Sequence, residues 1–119
     1  YLFTFKDIYK NPKATDKTFS GHTYKRWASF CAEDPMVSLT KLTIPIYMLV
    51  GSADGNSPIY GLDYVPLEFA RLRKENLIYE VCVGCDHFQT IVESHDEKLK
   101  GKNLGDEYRK KITQWLNSH

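Results

Sequence analysis

No apolar run in this sequence approaches the roughly eighteen residues of a membrane span, which argues against a membrane partner. The net charge is only +1, so no field of one sign marks a surface for nucleic acid or anionic lipid. Acids and bases alternate from Asp96 to Lys111 and read as a solvated helix face. Cysteine is scarce: three residues, an odd number, favour reduced thiols over a disulfide scaffold and lean toward a soluble, cytoplasmic setting. Internal repeats and low-complexity tracts are missing. The opening residues "YLFTFKDIYK" have no basic start, apolar middle and small-residue cleavage site of a signal peptide. There is no initiator Met, so a processed or excised piece of something longer is expected.

What the chain does hold is ordinary globular material. Hydrophobic residues make up 42% and charged residues 26% of 119, which argues against disorder. A chain this long removes roughly two-thirds of its unfolded surface from water. Residues 1–22 read as an irregular lead. Tyr24, Trp27, Ala28 and Cys31 fall at helical spacing, predicting a helix near 23–33. "IPIYMLV" and "LIYEVCV" are nearly continuous apolar runs, predicting strands near 44–50 and 77–83 that are covered on both faces. Val65, Phe69 and Leu72 mark a helix near 64–75. Phe88, Ile91, Val92, His95 and Leu99 mark another near 88–99. Tyr108, Ile112, Trp115 and Leu116 mark a last one near 106–117. This order is α/β with a parallel sheet.

Two parallel strands joined by a crossover helix send their exit loops to one sheet edge, where ligands of open α/β sheets bind. Asp54 lies in "VGSADGNSP" after the first strand, and His87 lies in "VGCDHF" after the second. The two side chains are therefore expected to approach each other. An imidazole can take and return a proton near neutral pH, and a carboxylate on its other nitrogen fixes the tautomer. Gly51 and Gly55 let the acid loop turn sharply.

These residues resemble the C-terminal part of the α/β-hydrolase family. Pro45, the run "IYMLV", Gly51, Asp54 and Pro58 match its acid motif, and Gly84, His87 and Phe88 match its histidine motif. The lead "YKRWASFCAEDP" and the intervening helix extend the likeness over roughly residues 24–117. The resemblance implies a partial α/β-hydrolase fold in which residues 1–119 are the C-terminal fragment of one domain, with 1–22 a lead or cap remnant. It implies Asp54 as triad acid and His87 as triad base in a serine hydrolase of the esterase, lipase or peptidase type, with a small-molecule or peptide acyl substrate. No cofactor is implied. The nucleophile elbow G-x-S-x-G is missing; "GSADG" places Ser52 in the acid loop, one position early. The attacking group and most of the oxyanion hole are therefore expected outside this chain, which alone is expected to be inactive.

Plainer readings stand beside these. Asp54 alone could be a turn residue, and His87 alone a helix-start residue. Asp86 reads as an N-cap, with Asp63 another candidate carboxylate. His95 reads as a core histidine, while His22 and His119 have no visible context. Tyr24, Trp27, Tyr60 and Tyr64 read as core contacts more than pocket lining. Cys82 and Cys85 read as small apolar packing. A thioredoxin-like redox pair, or zinc held by Cys82, Cys85, His87 and His95, are the rival chemistries. The alternative class is a non-catalytic α/β binding or assembly module. Two strands with open edges also predict self-association, or pairing with the missing N-terminal part.

Overall fold

The computed structural model describes residues 2–119. The chain forms two compact units, residues 1–42 and 43–119.

In the first unit the described part of the expected irregular lead is mostly helix and hairpin. Helix α1 (Leu2–Lys10) buries Ile8. It ends where the Asn11 side chain and main chain bond back to Asp7. Strands β1 (Thr18–Phe19) and β2 (His22–Thr23) pair antiparallel as a tight hairpin. Its two-residue turn, Ser20 and Gly21, has positive φ at both positions, the geometry whose twist suits a hairpin. Thr23 then caps helix α2 (Tyr24–Phe30), its hydroxyl accepting from the Arg26 amide. Trp27 donates its indole N–H to the Phe19 carbonyl at 2.7 Å and meets the rings of Phe5 and Phe19 edge-on or tilted. Helix α2 is shorter than the predicted 23–33. Asp34 and Pro35 open helix α3 (Pro35–Lys41): the Asp34 carboxylate accepts from the Met36 amide, and Pro35 occupies a first-turn position that needs no donor.

The second unit is α/β. Strands β3 (Ile46–Gly51) and β4 (Leu77–Cys82) run parallel, with Ile46 opposite Leu77 and Gly51 opposite Cys82. Helices α4 (Ile59–Leu62) and α5 (Tyr64–Arg71) make the crossover. Helix α5 stops at Arg71, not 75, because Arg73 has turned to φ +54°. Helix α6 (Gly105–Asn117) closes the chain. Side chains alternate along each strand, which assigns the two faces. Tyr47 and Glu80 bond to each other, Glu80 pairs with Lys111, and Tyr47 stacks edge-on against Trp115; that face meets α6. Tyr79, on the opposite face, donates to Asp63 at the start of α5 at 2.9 Å. Val65 and Phe69 of α5 are buried. Most strand residues are only half-buried, and Ile44 and Ile78 are exposed, so the expected cover on both faces is partial. Among the described residues the sheet has two strands, each with one open edge.

The helix predicted near 88–99 does not form. The amides it would use are committed elsewhere. The Asp86 carboxylate accepts from the Phe88 and Thr90 amides, both at 2.9 Å. Gln89 sits at φ +58°. The Val92 and Glu93 amides both donate to the Gly84 carbonyl. An acidic side chain bonding its neighbours' backbone competes directly with helix. Of the predicted stripe only Ile91 is buried; Phe88, Val92, His95 and Leu99 are exposed, which also corrects the reading of His95 as a core histidine.

Candidate active site

The loops leaving β3 and β4 emerge side by side because the strands are parallel and in register to their last residues. The acid loop begins at Gly51. It crosses to the second loop through backbone bonds: the Ser52 amide donates to the Cys82 carbonyl at 3.0 Å, and the Ala53 amide to the Cys85 carbonyl at 2.9 Å. Gly51 permits this approach, since an added Cβ would lie 2.7 Å from the Asp86 carbonyl oxygen and closer still to that of Cys85. Gly84 is needed twice over: its φ is +74°, and a Cβ there would run into the Glu93 carbonyl.

Asp54 and His87 meet at this rim. Asp54 Oδ2 lies 2.8 Å from His87 Nδ1. The other carboxylate oxygen, Oδ1, accepts from the Asn56 amide at 2.7 Å and the Ser57 amide at 3.1 Å. These bonds fix the carboxylate in an Asx-type turn, so the turn reading and the pairing reading both hold for it. The residue is 8% exposed, whereas the His87 side chain is 50% exposed. The hydrogen bond from His87 holds the Asp54 carboxyl below its ordinary range; burial opposes this, and the Ser57 and Asn56 amides assist. With a carboxylate accepting at Nδ1, the imidazole carries its proton there and presents a basic Nε2. The ring stands edge-on to Phe88, 5.6 Å between centroids. A cleft of about 400 Å³ lies against the pair, lined by Met48, Val50, Gly51, Leu62, Asp86 and Gln89 among others.

The remaining candidates fall into place around this pair. Ser52 Oγ accepts from the Gly84 amide at 2.7 Å, tying the acid loop to the histidine loop. Asp86 shapes the histidine turn through its backbone bonds. Asp63 is engaged by Tyr79. Tyr24 is buried and Trp27 is packed among aromatic rings, both within the first unit. Tyr60 and Tyr64 are exposed. His22 stacks on Trp27, and His119 on Trp115.

The cysteines correct the sequence reading. Cys82 and Cys85 form a disulfide, with Cα atoms 5.4 Å apart, inside the usual range for such a bridge. The left-handed turn at Gly84 folds the last strand residue and Cys85 together. Cys31 is the free thiol. The bridge takes both sulfur ligands from the zinc reading, and among the described residues no group of three His, Cys, Asp or Glu side chains is placed to hold a metal ion.

Two supporting residues escaped the sequence reading. Gln89 donates its side-chain amide to the His87 carbonyl at 3.0 Å. Asn103 donates to the Phe88 carbonyl and to Thr90 Oγ1. Ser52 and Gly84 lock the two loops together. Those two were visible in the sequence, whereas Gln89 and Asn103 belong to no motif that could have pointed to them. Among the described residues no helix is long and apolar enough to cross a membrane. Set against known proteins, the chain matches no family model, no curated protein and no solved structure.

Proposed function

We propose that this chain supplies the acid and base of a serine-hydrolase active site and corresponds to the C-terminal part of an α/β-hydrolase acting on an ester or amide. One observation carries the reading: a carboxylate and an imidazole, thirty-three residues apart, share a 2.8 Å hydrogen bond at the exit rim of two parallel strands. Asp54 orients the ring and stabilises the imidazolium. His87 Nε2 takes a proton from an attacking hydroxyl and returns it to the leaving group. The hydroxyl comes from outside this chain on this reading, because no G-x-S-x-G elbow is present; of the two acid-loop serines, Ser52 accepts from the Gly84 amide and Ser57 belongs to the turn that holds the Asp54 carboxylate. A small-molecule or peptide acyl compound is the substrate class. The open strand edges pair with the segment that brings the nucleophile, or with a second copy when that segment is missing.

The test compares the chain with the natural polypeptide that contains it, using a fluorophosphonate that labels activated serines. The chain alone is expected to stay unlabelled. The natural polypeptide is expected to label at a serine outside residues 1–119, and His87→Ala to abolish that labelling. Asp54→Asn is expected to slow it by on the order of ten-thousandfold, as loss of the orienting carboxylate does in serine proteases. Stoichiometric labelling at a serine of this chain refutes the division of labour. A natural polypeptide that never labels refutes the enzyme and supports a non-catalytic α/β binding module.

A further inference from the structure

The bridge between Cys82 and Cys85 lies in the turn that aligns the acid with the base. Cys82 is the last residue of β4, and Cys85 is two residues before His87. Their carbonyl oxygens are the two acceptors that hold the acid loop, taking the Ser52 and Ala53 amides. The residues they enclose include Gly84, whose amide is held by Ser52 Oγ and whose carbonyl takes two amides of the segment beyond His87. Three bonds that join the acid loop to the histidine loop, from the Ser52 and Ala53 amides to the Cys82 and Cys85 carbonyls and from the Gly84 amide to Ser52 Oγ, therefore end on the bridged segment.

The surroundings leave little slack. Cys82 is 1% exposed and Cys85 is fully buried, packed with Ile91, Leu49, Leu104 and Tyr108. On the other side the backbone of Gly51 is already so close that no Cβ fits. Reduction replaces one covalent bond by two thiols, which have to separate to van der Waals contact. A close-packed interior does not absorb such a change without moving its neighbours. The movable side is the rim: Val83 and Val92 are exposed, whereas Cys82 is anchored by the strand ladder.

We propose that the Cys82–Cys85 pair is a redox lock on the acid–base pair, competent when bridged and misaligned when reduced. The inference rests on the functional reading above. The step is thiol–disulfide exchange with a dithiol reductant. A thiolate of the reductant attacks one sulfur, and its second thiol resolves the mixed disulfide. The reductant leaves as a disulfide, and the chain gains two electrons and two protons as two thiols. Because both sulfurs are buried, exchange follows local opening of residues 83–93. Coupling runs both ways: if the bridge favours the Asp54–His87 bond, that bond favours the bridge to the same degree.

The test uses the whole chain with Cys31→Ser, so that the pair is the only redox couple. The chain is equilibrated in dithiothreitol buffers of graded poise. The fraction reduced is read by mass after alkylation, and the His87 Nδ1–H proton and the Asp54 carboxyl titration by NMR. The bridged form is expected to show a hydrogen-bonded Nδ1–H and a lowered Asp54 midpoint. Both are expected to fade in step with reduction while amide signals outside residues 83–93 persist. His87→Ala, which removes the bond from a half-exposed position, is expected to shift the equilibrium about tenfold toward the dithiol, or about 30 mV for a two-electron couple. A reduced chain that keeps the Nδ1–H signal overturns the lock and leaves the acid–base pair standing. Absence of that signal in both states overturns the pair and the lock together. Collapse of the whole spectrum on reduction overturns the lock, because the bridge then holds the sheet and not the rim.

Discussion

Gly51→Ala probes the closeness of the two loops with a single methyl group. The added Cβ would sit 2.7 Å from the Asp86 carbonyl oxygen, against an ordinary contact of 3.4 Å or more. The histidine loop has to retreat by roughly 0.7 Å or more, since overlap inside contact distance is repelled steeply. Two effects oppose each other. Overpacking costs about 1–3 kcal/mol, while replacing a strand glycine by alanine returns about 0.5–1 kcal/mol. The clash wins, because both opposing atoms are backbone carbonyls held by further bonds. A net loss of about 0.5–2 kcal/mol is expected, or roughly 2–8 °C in Tm for a chain of this size. The alignment suffers more than the fold: the same retreat takes the 2.8 Å contact between Asp54 and His87 out to a distance where hydrogen bonding is weak. Thermal unfolding followed by circular dichroism reads the first effect, and the His87 Nδ1–H proton in NMR reads the second. An alanine variant with unchanged Tm and an unchanged Nδ1–H signal would refute the contact between the loops.

Other perturbations follow from the same contacts. Ser52→Ala strips the buried Gly84 amide of its acceptor and is expected to cost about 1–3 kcal/mol in urea unfolding; an unchanged midpoint would remove Ser52 from the loop linkage. Phe69→Ala empties the largest fully buried side chain of α5 and is expected to cost about 3–5 kcal/mol by the same measurement, with a loss under 1 kcal/mol ruling out this packing. Burial first, and then bonds to Glu80 and Asp63, push Tyr47 and Tyr79 up to about 12. Stability that is full below pH 10 should therefore fall as pH rises toward 12. Ultraviolet titration should find these two phenols ionising last, and common ionisation of all eight tyrosines near 10 would contradict their environment. The Asp54 carboxyl is lowered in the folded chain, so its contribution is present above pH 3.8 and lost as pH falls through the folded value. His87→Ala should flatten that acid-side loss, and an unaltered acid limb of the stability curve would disprove the pairing.

The strands were legible because "IPIYMLV" and "LIYEVCV" are long apolar runs with few polar interruptions. Their parallel sense followed from the helical stretch between them, and with it the meeting of Asp54 and His87. The histidine loop was misread for a physical reason. Phe88, Ile91, Val92 and Leu99 carry a helical spacing, but the Asp86 side chain takes the amides that would start the helix. Periodicity registers apolar positions and is blind to such local competition. The bridge was missed because an odd count of cysteines argues about a whole chain, while Cys82 and Cys85 are joined by one turn at Gly84. Helix α1 was missed because its buried side, around Ile8, is short and its neighbours Phe3 and Tyr9 face outward.

The placement of the two tryptophans makes each unit optically addressable. Trp27 is enclosed by phenylalanine rings in the first unit, and Trp115 lies against Tyr47 in the second. Replacing either indole by phenylalanine leaves a single emitter. Fluorescence then follows the melting of one half without interference from the other, and shows whether the halves lose structure in one cooperative event or in sequence.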